Sequence, residues 1–135
     1  MLAIPIAALF GLFGERTALA RAKSAGLDVV VSYPERFRYR QLQPLRLTVR
    51  NLSAQPIDTL TVSFDTTYIS RFSSVRFDPP VKKTYAVELT DVKPMESRFV
   101  GVELWGQEYG MHPGIIVARA GADSAVVRFR TFVFP

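Results

Sequence analysis

The side chain best suited to proton transfer near neutral pH occurs once, as His112 in Gly110-Met111-His112-Pro113-Gly114. A lone imidazole makes neither a zinc site nor a nucleophile relay without partners. Its Pro-Gly context reads as a turn. Met111 beside it suggests copper, but a blue-copper centre needs a His pair and a Cys. The chain has one His and no Cys. That lack also removes disulfides, thiolate metal sites and cysteine nucleophiles. Glu103 and Glu108 flank Trp105-Gly106-Gln107 and could pair as glycosidase carboxylates, yet 135 residues leave little chain for a cleft. Asp65, Asp78, Asp91 and Asp123 all fall in expected turns, where Asp caps its own backbone. They form no D-x-D-x-D calcium loop. Asn51-Leu52-Ser53 matches a glycosylation acceptor and reads as a turn. The expectation is a chain without catalytic residues, metal or cofactor, which binds rather than reacts.

Binding chemistry is better represented. In Arg36-Phe37-Arg38-Tyr39-Arg40 cations alternate with aromatics, so as a strand Arg36, Arg38 and Arg40 share one face. Such a stripe suits phosphates, lipid headgroups or an acidic partner. It also suits an edge strand whose charges block unwanted pairing. Nucleic acid is disfavoured, because no phosphate loop or nucleic-acid module accompanies the stripe. Trp105 and Tyr109 sit in a glycine-flanked segment and are of the type that anchors interfaces, or sugars, when not in a core. The expected partner and lipid contacts are therefore Arg36, Arg38, Arg40, Trp105 and Tyr109.

Charge is unevenly distributed. Residues 1–50 hold eight basic and three acidic groups, a net of +5, whereas residues 51–135 hold nine of each. The surplus adjoins Met1–Phe13 (MLAIPIAALFGLF), which carries no charge. A bilayer span needs about 20 apolar residues, so this run is too short to cross alone. A secretory signal, with Ala18-Leu19-Ala20 as its cleavage site, and a plain core element are alternatives. The expectation is a retained anchor or docking segment using Leu2, Ile4, Ile6, Leu9, Phe10, Leu12 and Phe13. Glu15–Ser24 is rich in helix formers, with Gly26 as a stop, and reads as a short basic interfacial helix or a linker helix.

From Leu27 onward the apolar period becomes two. Runs at 27–33, 45–49, 60–64, 85–89, 100–104, 115–120 and 125–134 alternate, and Asn, Asp, Pro and Gly clusters separate them. This predicts an all-β domain over 27–135, an antiparallel sandwich of seven to eight strands, joined to an N-terminal unit over 1–26. A closed barrel is the alternative.

Three stretches carry a family likeness. Pro44–Ser53 followed by Leu60–Phe64, Asp91–Ser97 with Met95 where glycine is usual, and Gly110–Val117 together resemble bacterial immunoglobulin-like domains. The resemblance covers about residues 27–135 and implies a domain that is extracytoplasmic, often membrane-tethered and non-catalytic. A short apolar tail followed by one sandwich also resembles accessory subunits of bacterial membrane complexes, respiratory and photosynthetic ones included. The functional expectation is thus a non-catalytic accessory subunit that contacts integral membrane subunits and meets the membrane through residues 1–26. A free-standing extracytoplasmic module for carbohydrate or another ligand is the alternative. The resemblance implies a periplasmic domain, while basic residues following the apolar run favour the cytoplasmic side.

Overall fold

The computed structural model describes residues 16–38, 41–81, 85–106 and 108–135. Nine strands and one helical turn follow one another along these residues. They are β1 (Arg16–Lys23), β2 (Leu27–Arg38), β3 (Leu42–Asn51), β4 (Ile57–Phe64), α1 (Thr66–Ile69) and β5 (Phe72–Asp78), then β6 (Ala86–Val92), β7 (Ser97–Gly106), β8 (Gly110–Ala120) and β9 (Asp123–Phe134).

The alternation of the sequence becomes burial in the strands. Leu45, Leu47 and Val49 of β3 are fully buried, and Arg46 and Arg50 between and beyond them are exposed. In β9, Ala125, Val127, Phe129, Thr131 and Val133 face the core and the residues between them face out. Burying one such Leu, Val or Phe contributes about 1.5–3 kcal/mol, so a strand shifted by one residue would forfeit its whole apolar row.

Pairing runs β5-β7-β3-β2-β9-β8-β4-β6, with β1 added to β2. β2 belongs to both layers of the sandwich. Leu27–Ser32 pair antiparallel with β3, while Arg36–Arg38 pair parallel with β9. Buried Pro34 lies between these stretches, where its missing N–H suits a strand changing partner. The first layer is β1-β2-β3-β7-β5 and the second is β6-β4-β8-β9. Phe64 of β4 meets Phe77 of β5 edge-on at 5.2 Å, and Tyr33 of β2 meets Phe129 of β9 at 4.9 Å, so side chains of both layers share one core. The chain is therefore an immunoglobulin-like β-sandwich.

Three local expectations need correction. Arg16–Lys23 is a strand, not a helix, and pairs antiparallel with β2 over its whole length. Ala20 and Ala22 pack against the core while Leu19, Arg21 and Lys23 face out. A two-residue alternation and an open strand edge outweigh the helix propensity of Ala. Second, Gly110–Gly114 is the start of β8 rather than a turn, and His112 is 3% exposed. β4 pairs with β8 only over Ile116–Arg119, so on that side Pro113 interrupts no ladder. Third, β5 forms where no strand was expected, as an edge strand on β7.

Asn51 organises one end of the sandwich. Its buried Nδ2 donates to the carbonyls of Gln55 (2.9 Å) and Val92 (3.1 Å), and its Oδ1 accepts from the N–H of Ser53 at 2.9 Å. Its carbonyl accepts from Met95 N–H at 2.7 Å. The amide is thus committed to turns, as the turn reading of Asn51-Leu52-Ser53 expected. Met95, standing where glycine is usual, has φ of 64°, the left-handed region that glycine occupies without strain.

Candidate interaction surface

The arginine stripe lies on the stretch of β2 that joins the second layer. Arg36 is in register with Phe132 and Arg38 with Phe134, while Phe132 is in turn opposite Met111 of β8. Residues in register across strands share a face. Arg36, Arg38, Phe132, Phe134 and Met111 therefore occupy the outer face at one end of that layer. Arg38 is exposed and its guanidinium stands over the Phe134 ring, 5.8 Å from the centroid, a cation–π distance. The rings of Phe132 and Phe134 lie stacked at 6.5 Å.

Arg36 also has a partner on its other side. The backbone of Arg16, where β1 begins, is in register with it. One row across four strands therefore reads Arg16, Arg36, Phe132, Met111. Tyr109, 58% exposed, immediately precedes β8 at this same end.

The residues picked out in the sequence fall into two groups. Arg36 and Arg38 come together beside Phe132 and Phe134, and Tyr109 precedes β8 at the same end. Trp105 does not join them. It sits on β7 in the first layer, 37% exposed and opposite Leu42. Nearby on that outer face an open groove of about 510 Å³ is lined by Pro44, Arg46, Arg76, Asp78, Gly101 and Glu103. Arg40 and the anchor residues Leu2, Ile4, Ile6, Leu9, Phe10, Leu12 and Phe13 lie outside the described residues. Among the described residues no helix is long and apolar enough to cross a membrane.

The imidazole and several of the carboxylates singled out in the sequence make hydrogen bonds within the fold. His112 Nε2 is 2.8 Å from the carbonyl of Glu108, and its ring meets Phe72 edge-on. The Glu108 carboxylate accepts from Arg71 at 2.8 Å, whereas Glu103 borders the first-layer groove. Asp65 caps α1 by accepting from Thr67 N–H. Asp123 accepts from Ser24 Oγ (2.8 Å) and Gly26 N–H (2.9 Å), tying the β1–β2 turn to the start of β9. Among the described residues no three His, Asp or Glu side chains stand close enough to share a metal. On β1 and β2, Arg21 clamps Asp28 through Nε (3.0 Å) and Nη2 (2.6 Å). That hydrogen bonding holds the Asp28 carboxyl below its usual range.

Sequence reasoning missed Arg128, Arg130, Phe132 and Phe134. Ala125–Phe134 reads as a strand, but its outward parity, Val126, Arg128, Arg130, Phe132 and Phe134, is a second cation–aromatic stripe. The signal was present in the alternation. Only the pairing of β2 with β9 brings the two stripes side by side.

No family model matches the chain, and no curated protein matches it in sequence. Among solved structures it is similar to the CARDB domain of a Pyrococcus furiosus protein in complex with di-metal ions. That likeness has a TM-score of 0.53 at 14% identity and covers 87% of this chain and 89% of that one. It is also similar to part of a β-glucosidase from Listeria innocua, with a TM-score of 0.48 at 21% identity, covering 82% of this chain and 16% of that one. At such identities the first likeness shows the fold alone: an immunoglobulin-like β-sandwich.

Proposed function

We propose that the chain is a non-catalytic accessory subunit held at a membrane, which offers one end of its sandwich to integral membrane partners. The observation that carries this reading is the register of Arg16 with Arg36. Arg16, three residues after the uncharged run Met1–Phe13 in the sequence, stands in the same row as Arg36, Phe132 and Met111. An apolar tether and a cation–aromatic cluster are what a membrane-facing subunit requires. Its domain is assigned to the periplasmic side on the resemblance to bacterial immunoglobulin-like domains. Protection of the domain from protease in intact spheroplasts would overturn that side assignment.

The test is purification of the tagged full-length chain from its native cells in mild detergent, beside the Arg36→Gln/Arg38→Gln variant. The wild type is expected to bring integral membrane proteins with it. The variant should lose them while melting within a few degrees of the wild type, because charges at the surface, exposed as at Arg38 or half-exposed as at Arg36, contribute only about 0–1 kcal/mol each to folding. A chain that copurifies with nothing and stays in the soluble fraction sinks the proposal.

A second reading, a free-standing carbohydrate-binding module, is favoured by half-exposed Trp105 near the polar Gly101 groove. Saturable quenching of Trp105 fluorescence by a polysaccharide, with no membrane association, would select it.

A further inference from the structure

We propose that the outer face of β8 and β9 is a docking surface for an anionic phospholipid bilayer, with Arg128 and Arg130 as its headgroup ligands. The proposal rests on the membrane-held reading above and names the surface and the lipid class.

The face is built by register. Ile115 stands opposite Arg128, Pro113 opposite Arg130, Met111 opposite Phe132 and Val117 opposite Val126. Cations and apolar side chains are thereby interleaved on a two-strand surface. Met111 is 53% exposed, Val126 41%, Phe132 37% and Ile115 36%. Soluble monomers seldom leave so many large apolar side chains adjoining one another without a use. Arg128 and Arg130 are exposed and make no ion pair among the described residues. Between them and Arg36, Met111 and Phe132 runs an open groove of about 500 Å³, with Glu35 as its acidic border.

Each part suits a bilayer surface. Guanidinium groups bind phosphate through a planar fork of donors. The apolar side chains around them can enter the boundary between headgroups and acyl chains. The geometry also disfavours a second copy of this chain, since stacking the face on itself would set guanidinium against guanidinium. Next to β8 the outward residues of β4 are polar, Thr59, Thr61 and Ser63, so the apolar mosaic stops there. On the opposite side it runs into Arg36 and Arg38, in the row where β1 begins at Arg16.

The test uses the full-length chain with vesicles of pure phosphatidylcholine and of phosphatidylcholine with about a third phosphatidylglycerol. Near an anionic leaflet each Arg contributes about 1 kcal/mol, so Arg128→Gln/Arg130→Gln should weaken partitioning into the anionic vesicles about 30-fold. Binding to neutral vesicles, driven by the apolar segment, should be unchanged by the substitution. High salt should erase most of the difference. A depth readout separates face contact from simple charge attraction. In a Trp105→Phe/Met111→Trp variant the emission should shift to the blue on anionic vesicles, while wild-type Trp105, on the other layer, should not shift. Equal binding of the wild type to both vesicle types overturns the proposal. So does loss of membrane proteins from the detergent extract of the arginine variant with vesicle binding intact, which would make the face a protein contact. Failure of copurification with retained vesicle selectivity would instead count against the accessory-subunit reading alone.

Discussion

Tyr68 Oη and Thr131 Oγ1 lie 2.9 Å apart in a part of the core closed to water. Burial raises the Tyr68 phenol above its ordinary value. The unfolded phenol ionises near pH 10, and the folded one resists ionisation. The stabilising difference is therefore complete below that pH and is lost as the pH climbs through and beyond it. Tyr68→Phe leaves the Thr131 hydroxyl buried without its partner and should cost about 1–3 kcal/mol at neutral pH. Urea unfolding should show the gap between variant and wild type narrowing at alkaline pH; a constant gap would mean Tyr68 is not the titrating group. The neighbouring glycine is fixed by the same cluster. A Cβ at Gly114 would lie 2.6 Å from Phe129 Cζ and 3.0 Å from Tyr68 Cδ1, so only glycine lets β8 pass those rings. The sequence showed Gly114 as a turn residue because the rings that crowd it come from α1 and β9.

At the scale of elements, β1 decides where the domain starts. Its ladder covers one edge of β2, and Ser24 and Gly26 anchor its turn on Asp123. Removal of residues 1–14 should leave cooperative unfolding intact. Removal of residues 1–26 should uncover the edge of β2, delete the Arg21 partner of Asp28 and lower the melting temperature by several degrees or cause aggregation. Thermal scans of both truncations check this; equal melting would mean β1 is dispensable. Strands with strict alternation, such as Leu45–Val49 and Ala125–Phe134, were legible because every second side chain enters the core. β1 was hidden by alanine, which favours helices yet is small enough for a partly covered edge. β8 was cut short by Pro113 and Gly114, whose usual meaning as punctuation fails where a strand has only one neighbour. β5 was hidden because Ser73 and Ser74 break its apolar run.

At the scale of the whole molecule, linear charge and spatial charge differ. Residues 51–135 are neutral in sum, yet β9 turns Arg128 and Arg130 to one face beside Arg36 and Arg38. The candidate surface was half legible for that reason: the first stripe is local, whereas its partner stripe arrives only through a parallel pairing between the two ends of the fold. The same pairing has a consequence for how the chain could be rewired. Arg16 and Phe132 both stand in register with Arg36, so the first strand begins and the last strand ends at the same level, one on each side of β2. The tight β8–β9 hairpin at Gly121, φ 60°, lies at the far end. A circular permutant that joins Pro135 to Arg16 through a short glycine-serine linker, opened at Gly121-Ala122, should refold with near-native melting. Such a molecule would carry its new ends away from the cation–aromatic surface. Because this permutant lacks residues 1–15, its binding to neutral vesicles should fall; tags placed there should leave its preference for anionic vesicles intact, whereas a tag fused to Pro135 of the unpermuted chain should obstruct it.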